Sequence, residues 1–286
     1  MKLFVAVFLN GLTLASLYFL VASGFTLIFG LLRTVNMAHG SLFLLGAYCG
    51  YAASSATGNW YLGLLAATAA SALLGAVLQW ALLERIPGQD VRQTMLTIGL
   101  SIILADQMLA HWGGTVYQMQ QPSLLTGFSR VPVVGGYSTF RLALILMAAA
   151  VGFGLYLLLY HSRLGLIIRA GVDDRTMVRA MGVRVIGVFR GVFALGAGLA
   201  GLAGFIGGTT LSIAPGMDGH YLLSSLVVVI VGGMGSIGGA ALGALLIGMA
   251  EQYGLAYTPT YGVVYTFVIM VAVLAIRPQG LLGRPA

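Results

Sequence analysis

Four polar side chains interrupt a long apolar stretch near the N-terminus, in the sequence LLRTVNMAHGSLFLLGAY at 31–48. They are Arg33, Thr34, Asn36 and His39. A histidine near an arginine and an asparagine could belong to an active site, to a metal site or to a polar turn between two membrane helices. The other reactive and metal-binding residues of the sequence must distinguish between these three possibilities.

Those residues are poorly spaced for catalysis or metal binding. The histidines include no pair four residues apart and no HExxH sequence, so we expect no zinc site in this chain. Ser236 lies in GMGSIGG, whereas a nucleophile elbow requires GxSxG and position 234 is methionine. A Walker A loop needs GxxxxGK, and the only lysine is Lys2. The sequence predicts a protein that is not an enzyme and holds no cofactor; any ATP and Mg²⁺ would be bound by partner subunits.

The composition is that of a membrane protein. Hydrophobic residues make up 59% of the 286 and charged residues 7%, against roughly a quarter charged in soluble domains. A spanning helix needs about 20 mainly apolar residues. Apolar runs fall at about 4–32, 41–56, 60–83, 94–112, 141–160, 191–214, 222–252 and 262–276. We predict an all-α, polytopic membrane protein with about eight membrane segments, formed by a single domain over 1–286.

Other arrangements of the apolar residues fit less well. A β-barrel would show short segments of strict alternation, whereas 142–159 is apolar on every side of a helix. Among carboxylates, only Asp106 and Glu251 fall within apolar runs, both toward the predicted outer ends. Functional acids usually lie deep in a helical bundle, so these two are interpreted as solvated or capping residues rather than as parts of an ion-coupled carrier.

The arginines set the predicted orientation. Short cytoplasmic loops collect basic residues, and the stretch 161–190 holds six arginines, at 163, 169, 175, 179, 184 and 190. This stretch is therefore predicted to be cytoplasmic. Counting outward from it places Lys2 in the periplasm, Arg33 at a cytoplasmic helix end and the C-terminus in the cytoplasm. The protein is expected in the bacterial inner membrane, in contact with lipid and not with nucleic acid.

The seventh apolar run contains a predicted break. At 31 residues the run 222–252 is too short for two full crossings and long for one, and GGMGSIGG at 232–239 lies in its middle. Each glycine costs a helix roughly 1 kcal/mol. We expect two short helices that meet at a glycine break, which membranes tolerate only beside protein or a water-filled cavity. The candidate pathway residues here are Gly232, Gly233, Gly235 and Ser236.

A short amphipathic helix is predicted inside the cytoplasmic segment, in GVDDRTMVRAMGV at 171–183. Asp173 or Asp174 can cap its first turn, and Gly182 is placed to end it. Three apolar residues are predicted to share one face and two arginines the other; in order along the chain they are Arg175, Met177, Val178, Arg179 and Met181. Such a short helix is marginal in water. From these residues alone, a groove on another protein and a lipid surface remain equally open.

Small residues four apart are dense in the sixth run, for example at Ala197 and Gly201 and at Ala200 and Gly204. This spacing predicts a close helix contact, either within the subunit or with a second membrane subunit.

Four stretches resemble the signature blocks of LivH-type permeases, in the same order along the whole chain: 35–48, 168–183, 232–251 and 277–283. Those permeases are membrane subunits of bacterial ABC importers for branched-chain amino acids. The resemblance implies a LivM-like second permease, two cytoplasmic ABC ATPases and a periplasmic substrate-binding protein. This chain departs from LivH-type permeases at three positions. They commonly carry small alanines where this chain has Met177 and Val178, and a proline where it has Gly238.

The resemblance assigns roles to the sites above. The segment 161–190, with Arg169 and the short helix up to Gly182, becomes the part that docks into the ATPases. Asn36, His39 and Gly40 become a polar turn that is structural or contacts substrate in transit. Pro215, Asp218 and His220 belong to a periplasmic loop expected to bind the substrate-binding protein. The function predicted is ATP-driven import by alternating access; permeation of amides or urea, or a secondary transporter or channel without ATPases, are the alternatives.

Overall fold

The computed structural model describes residues 2–32, 34–131, 135–183 and 185–283. Arg33, predicted to lie at a helix end, falls outside the described residues. The described chain is almost entirely helical, as the composition predicts. Its α-helices are α1 Lys2–Phe25, α2 His39–Thr57, α3 Trp60–Ala81, α4 Asp90–Trp112, α5 Thr139–His161, α6 Arg163–Asp173, α7 Arg175–Ala180, α8 Val185–Thr210, α9 Met217–Gly232, α10 Ile237–Tyr257 and α11 Gly262–Ile276.

Short elements extend or connect these helices. A π-helical segment, Thr26–Leu31, continues α1. Between α4 and α5 the chain forms an antiparallel hairpin of β1 Phe128–Val131 and β2 Gly135–Ser138, in which Phe128 lies opposite Ser138. Short 3₁₀ turns at Leu83–Arg85, Ser123–Leu125 and Pro259–Tyr261 complete the assigned elements.

The prediction of a polytopic helical membrane protein is confirmed. Within the described residues, five helical stretches are long and apolar enough to cross a membrane: Lys2–Gly30, Trp60–Arg85, Asp90–Trp112, Thr139–His161 and Val185–Thr210. The pair α9 and α10 adds a sixth if it counts as one bent span. The other apolar runs are also helical, but α2 is rich in glycine, serine and alanine and α11 has only 15 residues.

The predicted break in the seventh run is present. The chain bends by 116° between α9 and α10, at the residues 233–236. The two helices are longer than the apolar run suggested, with 16 and 21 residues, because each extends into polar sequence beyond the run. At 1.5 Å per residue they measure about 24 and 32 Å. Since α9 is shorter than the roughly 30 Å hydrocarbon core of a bilayer, the pair counts as at most one bent span.

Helix α8 is the centre of the bundle, because its glycines let three neighbouring helices approach closely. A Cβ added at Gly196 would lie 2.8 Å from the Gly24 carbonyl oxygen in α1, and one at Gly204 would lie 2.0 Å from the Phe43 carbonyl oxygen in α2. At Gly201 it would lie 2.5 Å from a carbonyl oxygen in α3. The small-residue contacts predicted for this run are thus made within the subunit.

Candidate coupling and translocation sites

The arginine-rich segment folds as two helices at one end of the bundle, here named the coupling end. Helix α6 begins at Ser162, whose hydroxyl oxygen accepts a hydrogen bond of 3.0 Å from the amide of Gly165. Its Ile168 is buried, while Leu164 and Leu166 are exposed. Helix α6 also contacts the π-helical segment that ends α1, so the end of α1 lies at the coupling end too.

Helix α7 is capped as the sequence predicts. The Asp174 carboxylate accepts a hydrogen bond of 3.0 Å from the amide of Met177, which satisfies one free N–H of the first turn. At the other end Gly182 has a φ of +80°, and its amide donates to the Arg179 carbonyl. The following amide, of Val183, donates to the Val178 carbonyl. Glycine stops the helix here because it adopts this left-handed conformation without strain.

The apolar face predicted for α7 is only partly correct. Met177 and Met181 are 62% and 74% exposed, whereas Val178 is 6% exposed and packs into the bundle. Val178 is the residue of this six-residue helix that joins the buried apolar cluster, and α7 contacts both α6 and α8. The free surface consists of the two methionines beside exposed Arg179. The side chains of Asp173 and Arg175 fall outside those described.

Two other arginines near α7 bind within the subunit. The Arg169 guanidinium lies 5.2 Å from the centroid of the Tyr160 ring. Arg190, in the second turn of α8, donates hydrogen bonds of 2.5 and 2.7 Å to the two carboxylate oxygens of Glu84. This bidentate pair joins the base of α8 to the turn after α3. Sequence reasoning missed it, because the partners are 106 residues apart and no local pattern connects them.

The described polar side chains of the turn before α2, Thr34, Asn36 and His39, are buried. The Asn36 side-chain oxygen accepts a hydrogen bond of 3.1 Å from the amide of Ala38, just before α2. The His39 Nε2 donates to the Val21 carbonyl oxygen at 3.1 Å, and its ring is completely buried. Gly40 lies against α9, where a Cβ would come within 2.0 Å of the Asp218 carbonyl oxygen. In this conformation the turn closes a gap between helices and does not line an open passage.

The glycine break between α9 and α10 is covered by the chain's own C-terminal segment. The amides of Leu281 and Leu282 each donate hydrogen bonds of 2.9 Å, to the carbonyls of Val231 and Gly232. Residues 281 and 282 thus satisfy carbonyls that the end of α9 leaves free. A Cβ at Gly233, which has a φ of +105°, would lie 2.3 Å from the amide nitrogen of Gly283. At Gly233 the break is thus packed against protein, one of the two environments predicted for it, while Met234 is 58% exposed.

The remaining break residues have local structural roles. Ser236 caps α10, because its hydroxyl oxygen accepts a hydrogen bond of 3.0 Å from the amide of Gly239. Gly235 has a φ of +79° and touches the end of α1, where a Cβ added at Gly30 would lie 2.3 Å from the Gly235 nitrogen. The break therefore lies at the coupling end, since it contacts the end of α1.

The predicted docking loop is shorter than expected. Pro215 precedes α9, but Asp218 and His220 lie in its first turn. The Asp218 carboxylate accepts a hydrogen bond of 3.3 Å from the hydroxyl of Ser41, at the start of α2. Asp218 was predicted on a loop, and this part of the prediction was wrong, because α9 begins at Met217, before the apolar run from which its start was predicted. His220 is exposed.

Together these features define a multi-pass helical membrane protein with an exposed capped helix and a broken helix pair at the same end of the bundle, the class of transport permeases. The sequence model of the family described as branched-chain amino acid transport system / permease component matches residues 7–274. The chain belongs to this family. Its members are permease components of ABC transporters, which work with ATPase and substrate-binding components.

Curated relatives cover nearly the whole chain. The high-affinity branched-chain amino acid transport permease BraD of Pseudomonas aeruginosa is 31% identical over 96% of this chain and 94% of its own length. The corresponding LivH protein of Escherichia coli K12 is 30% identical with the same coverage. A putative glucose ABC transporter permease, TsgC13 of Haloferax volcanii, is 29% identical over 70% of this chain and 62% of its own. No solved structure matches the chain significantly.

Proposed function

We propose that this chain is the LivH-type permease subunit of an ATP-driven importer that moves branched-chain amino acids into the cytoplasm by alternating access. In this proposal a LivM-like permease completes the transmembrane pair, and a periplasmic binding protein delivers the substrate. The chain carries out no reaction of its own. The relatives that cover its full length and are named for branched-chain amino acids support this substrate.

The observation that carries the proposal is the exposed pair of methionines on a capped helix. Met177 on α7 and Met181, the residue that follows its last turn, are four positions apart, and both side chains are largely exposed although each is apolar. Flexible methionines suit insertion into an apolar groove of another protein. The proposed occupant of this surface is an ATPase subunit, whose movement on ATP binding would push α7 and, through Val178 and α8, the bundle. The Glu84–Arg190 pair would transmit the same movement to the base of α3.

The break covered by the C-terminal segment fits this scheme. Residues 277–283 and the α9–α10 break both lie at the coupling end, so a movement that begins at α7 would reach the break. Our candidates for the translocation pathway or its gate remain Asn36, His39, Gly40, Gly232, Gly233, Gly235 and Ser236.

Met181→Asp tests the coupling surface. The complete complex is reconstituted in proteoliposomes with ATP inside and leucine-loaded binding protein outside, and leucine uptake and ATP hydrolysis are measured together. A buried carboxylate in an apolar groove is costly, so uptake per ATP hydrolysed should fall by about tenfold or more. Met181→Leu keeps the apolar surface and should retain uptake.

Two results would contradict the proposal. Unchanged uptake with Met181→Asp would mean that α7 does not bind the ATPases. Uptake of leucine driven by an ion gradient without any ATPase subunit would identify a secondary transporter. A third measurement compares leucine with urea and a short amide, and preferential uptake of either of these would reassign the substrate within the family.

A further inference from the structure

Asp218 lies at the middle of the bundle, although it follows a turn between two helices. The hydroxyl of Ser41 is 3.3 Å from its carboxylate and 3.4 Å from the Ser101 carbonyl oxygen. Ser101 is the central residue of α4, with eleven residues on either side, which is about 16 Å of helix in each direction. Because α4 is long and apolar enough to cross a membrane, we place this cluster near the centre of the bilayer.

The first turns of two helices meet at this depth. The backbones of α2 and α9 touch at Gly40 and Asp218, and one turn further along each helix Phe43 stacks on Tyr221 with ring centroids 4.0 Å apart. Both helices thus start inside the membrane, where irregular backbone is tolerated only within protein or beside an aqueous cavity. Gly219 and His220, which follow Asp218, are exposed, so the junction opens on one side.

Asp218 is a carboxylate without a cation in this apolar setting. Among the described residues the ion pair present is Glu84–Arg190, at the coupling end. The hydrogen bond from Ser41 engages one oxygen of Asp218, and the side chain is partly exposed. Ionisable groups at mid-membrane are costly and usually mark a substrate or ion pathway.

An independent observation comes from Tyr48, two helical turns beyond Ser41. Tyr48 is 0% exposed, and its hydroxyl has no hydrogen-bond partner among the described residues. Its ring stacks on Trp112 with centroids 5.0 Å apart. Seven residues are about two helical turns, so Tyr48 lies on the same face of α2 as Ser41, and side chains on a helix lean toward its N-terminus, which is the Ser41 end. A buried hydroxyl without a hydrogen-bond partner is costly unless a ligand supplies the missing hydrogen bond.

We propose that Asp218 and Tyr48 form a substrate station halfway along the translocation pathway. The Asp218 carboxylate accepts hydrogen bonds from the α-ammonium group of an amino acid in transit, and the Tyr48 hydroxyl donates one to its α-carboxylate. This inference rests on the proposed function, since it requires an amino-acid substrate. One carboxylate and one hydroxyl hold a zwitterion only weakly, which suits a pathway that must release its cargo.

Asp218→Asn removes the charge and keeps the shape and the acceptor for Ser41. Leucine uptake per ATP hydrolysed is measured in the reconstituted complex with loaded binding protein. Uptake should fall about tenfold, the equivalent of one charged hydrogen bond. Asp218→Glu retains the charge and should retain more uptake than the Asn variant. Asp106→Asn, an exposed carboxylate on α4, is the matched control and should transport normally.

Tyr48→Phe separates the proposed role from a structural one. It leaves the stacking on Trp112 and deletes a hydroxyl that has no partner, so a purely structural residue would give equal or higher thermal stability with unchanged uptake. If the substrate station is correct, the thermal stability should be equal or higher and leucine uptake should fall about threefold, because one neutral hydrogen bond to the substrate is lost.

The outcomes are distinguishable from failure of the proposed function. If the unmodified complex takes up no leucine with ATP, the function itself is wrong. If it does, and both Asp218→Asn and Tyr48→Phe match Asp106→Asn, the station is refuted. Equal loss of uptake with Asp218→Asn and Asp218→Glu, together with lower thermal stability of both, would show that Asp218 only holds α9 in place and would also refute it.

Discussion

The glycine contact between α8 and α2 gives the sharpest test of the packing. Replacement of Gly204 by alanine would place a Cβ 2.0 Å from the Phe43 carbonyl oxygen and 3.3 Å from the Ala47 amide nitrogen. Carbon and carbonyl oxygen normally approach no closer than about 3.3 Å, so the helices must separate by about 1.3 Å. A backbone oxygen cannot rotate away as a long side chain does, and the whole helix has to move.

The cost of this separation follows from the density of the bundle. Overpacking a dense core typically costs about 1–3 kcal/mol, and a backbone collision belongs at the upper end of that range. For a chain of this size about 3 kcal/mol corresponds to a fall in melting temperature on the order of 6 °C. We expect this fall for Gly204→Ala in detergent, measured by the thermal unfolding of the purified complex.

Gly191→Ala is the matched control on the same helix. A Cβ at Gly191 would meet no atom within 4 Å, and alanine favours a helix over glycine by roughly 1 kcal/mol. The melting temperature should therefore stay the same or rise. Equal melting temperatures for the two variants would refute the close packing of α8 on α2, and with it the position of Ser41 beside Asp218.

Two further predictions concern the coupling end. Gly233→Ala forces a side chain into a φ of +105° against the segment 277–283, so thermolysin should cleave that segment faster. Gly238→Ala is the control, because its Cβ would meet nothing nearer than 3.7 Å and the cleavage rate should not change. Glu84→Gln weakens the ion pair with Arg190. Since that pair is partly exposed, the melting temperature should fall by no more than about 2 °C. A larger fall would show that the pair is more than a surface contact.

The two ends of α7 were predictable from the sequence because capping is local. Asp174 and Gly182 act through hydrogen bonds to residues at most three positions away, so their spacing suffices. The same holds for the glycine break and for the helical, membrane-spanning character of the chain. Composition and hydrophobic periodicity directly indicate the environment of each segment.

Local reasoning failed where a residue's environment depends on distant elements. Val178 looked equivalent to Met177 and Met181, and only its position against the bundle makes it buried. Likewise the sequence around Gly204 predicts a close contact but does not say which helix provides it.

The amino-acid sequence alone therefore determined the class of protein, its helices, the caps of α7 and the position of the break. Each of these depends on neighbouring residues or on average hydropathy. The tertiary structure alone decided that Asp218 lies beside the centre of α4 and that Glu84 pairs with Arg190. Both depend on how deep each helix starts and which helices touch. That depth is set by packing among residues more than a hundred positions apart, which no local pattern encodes.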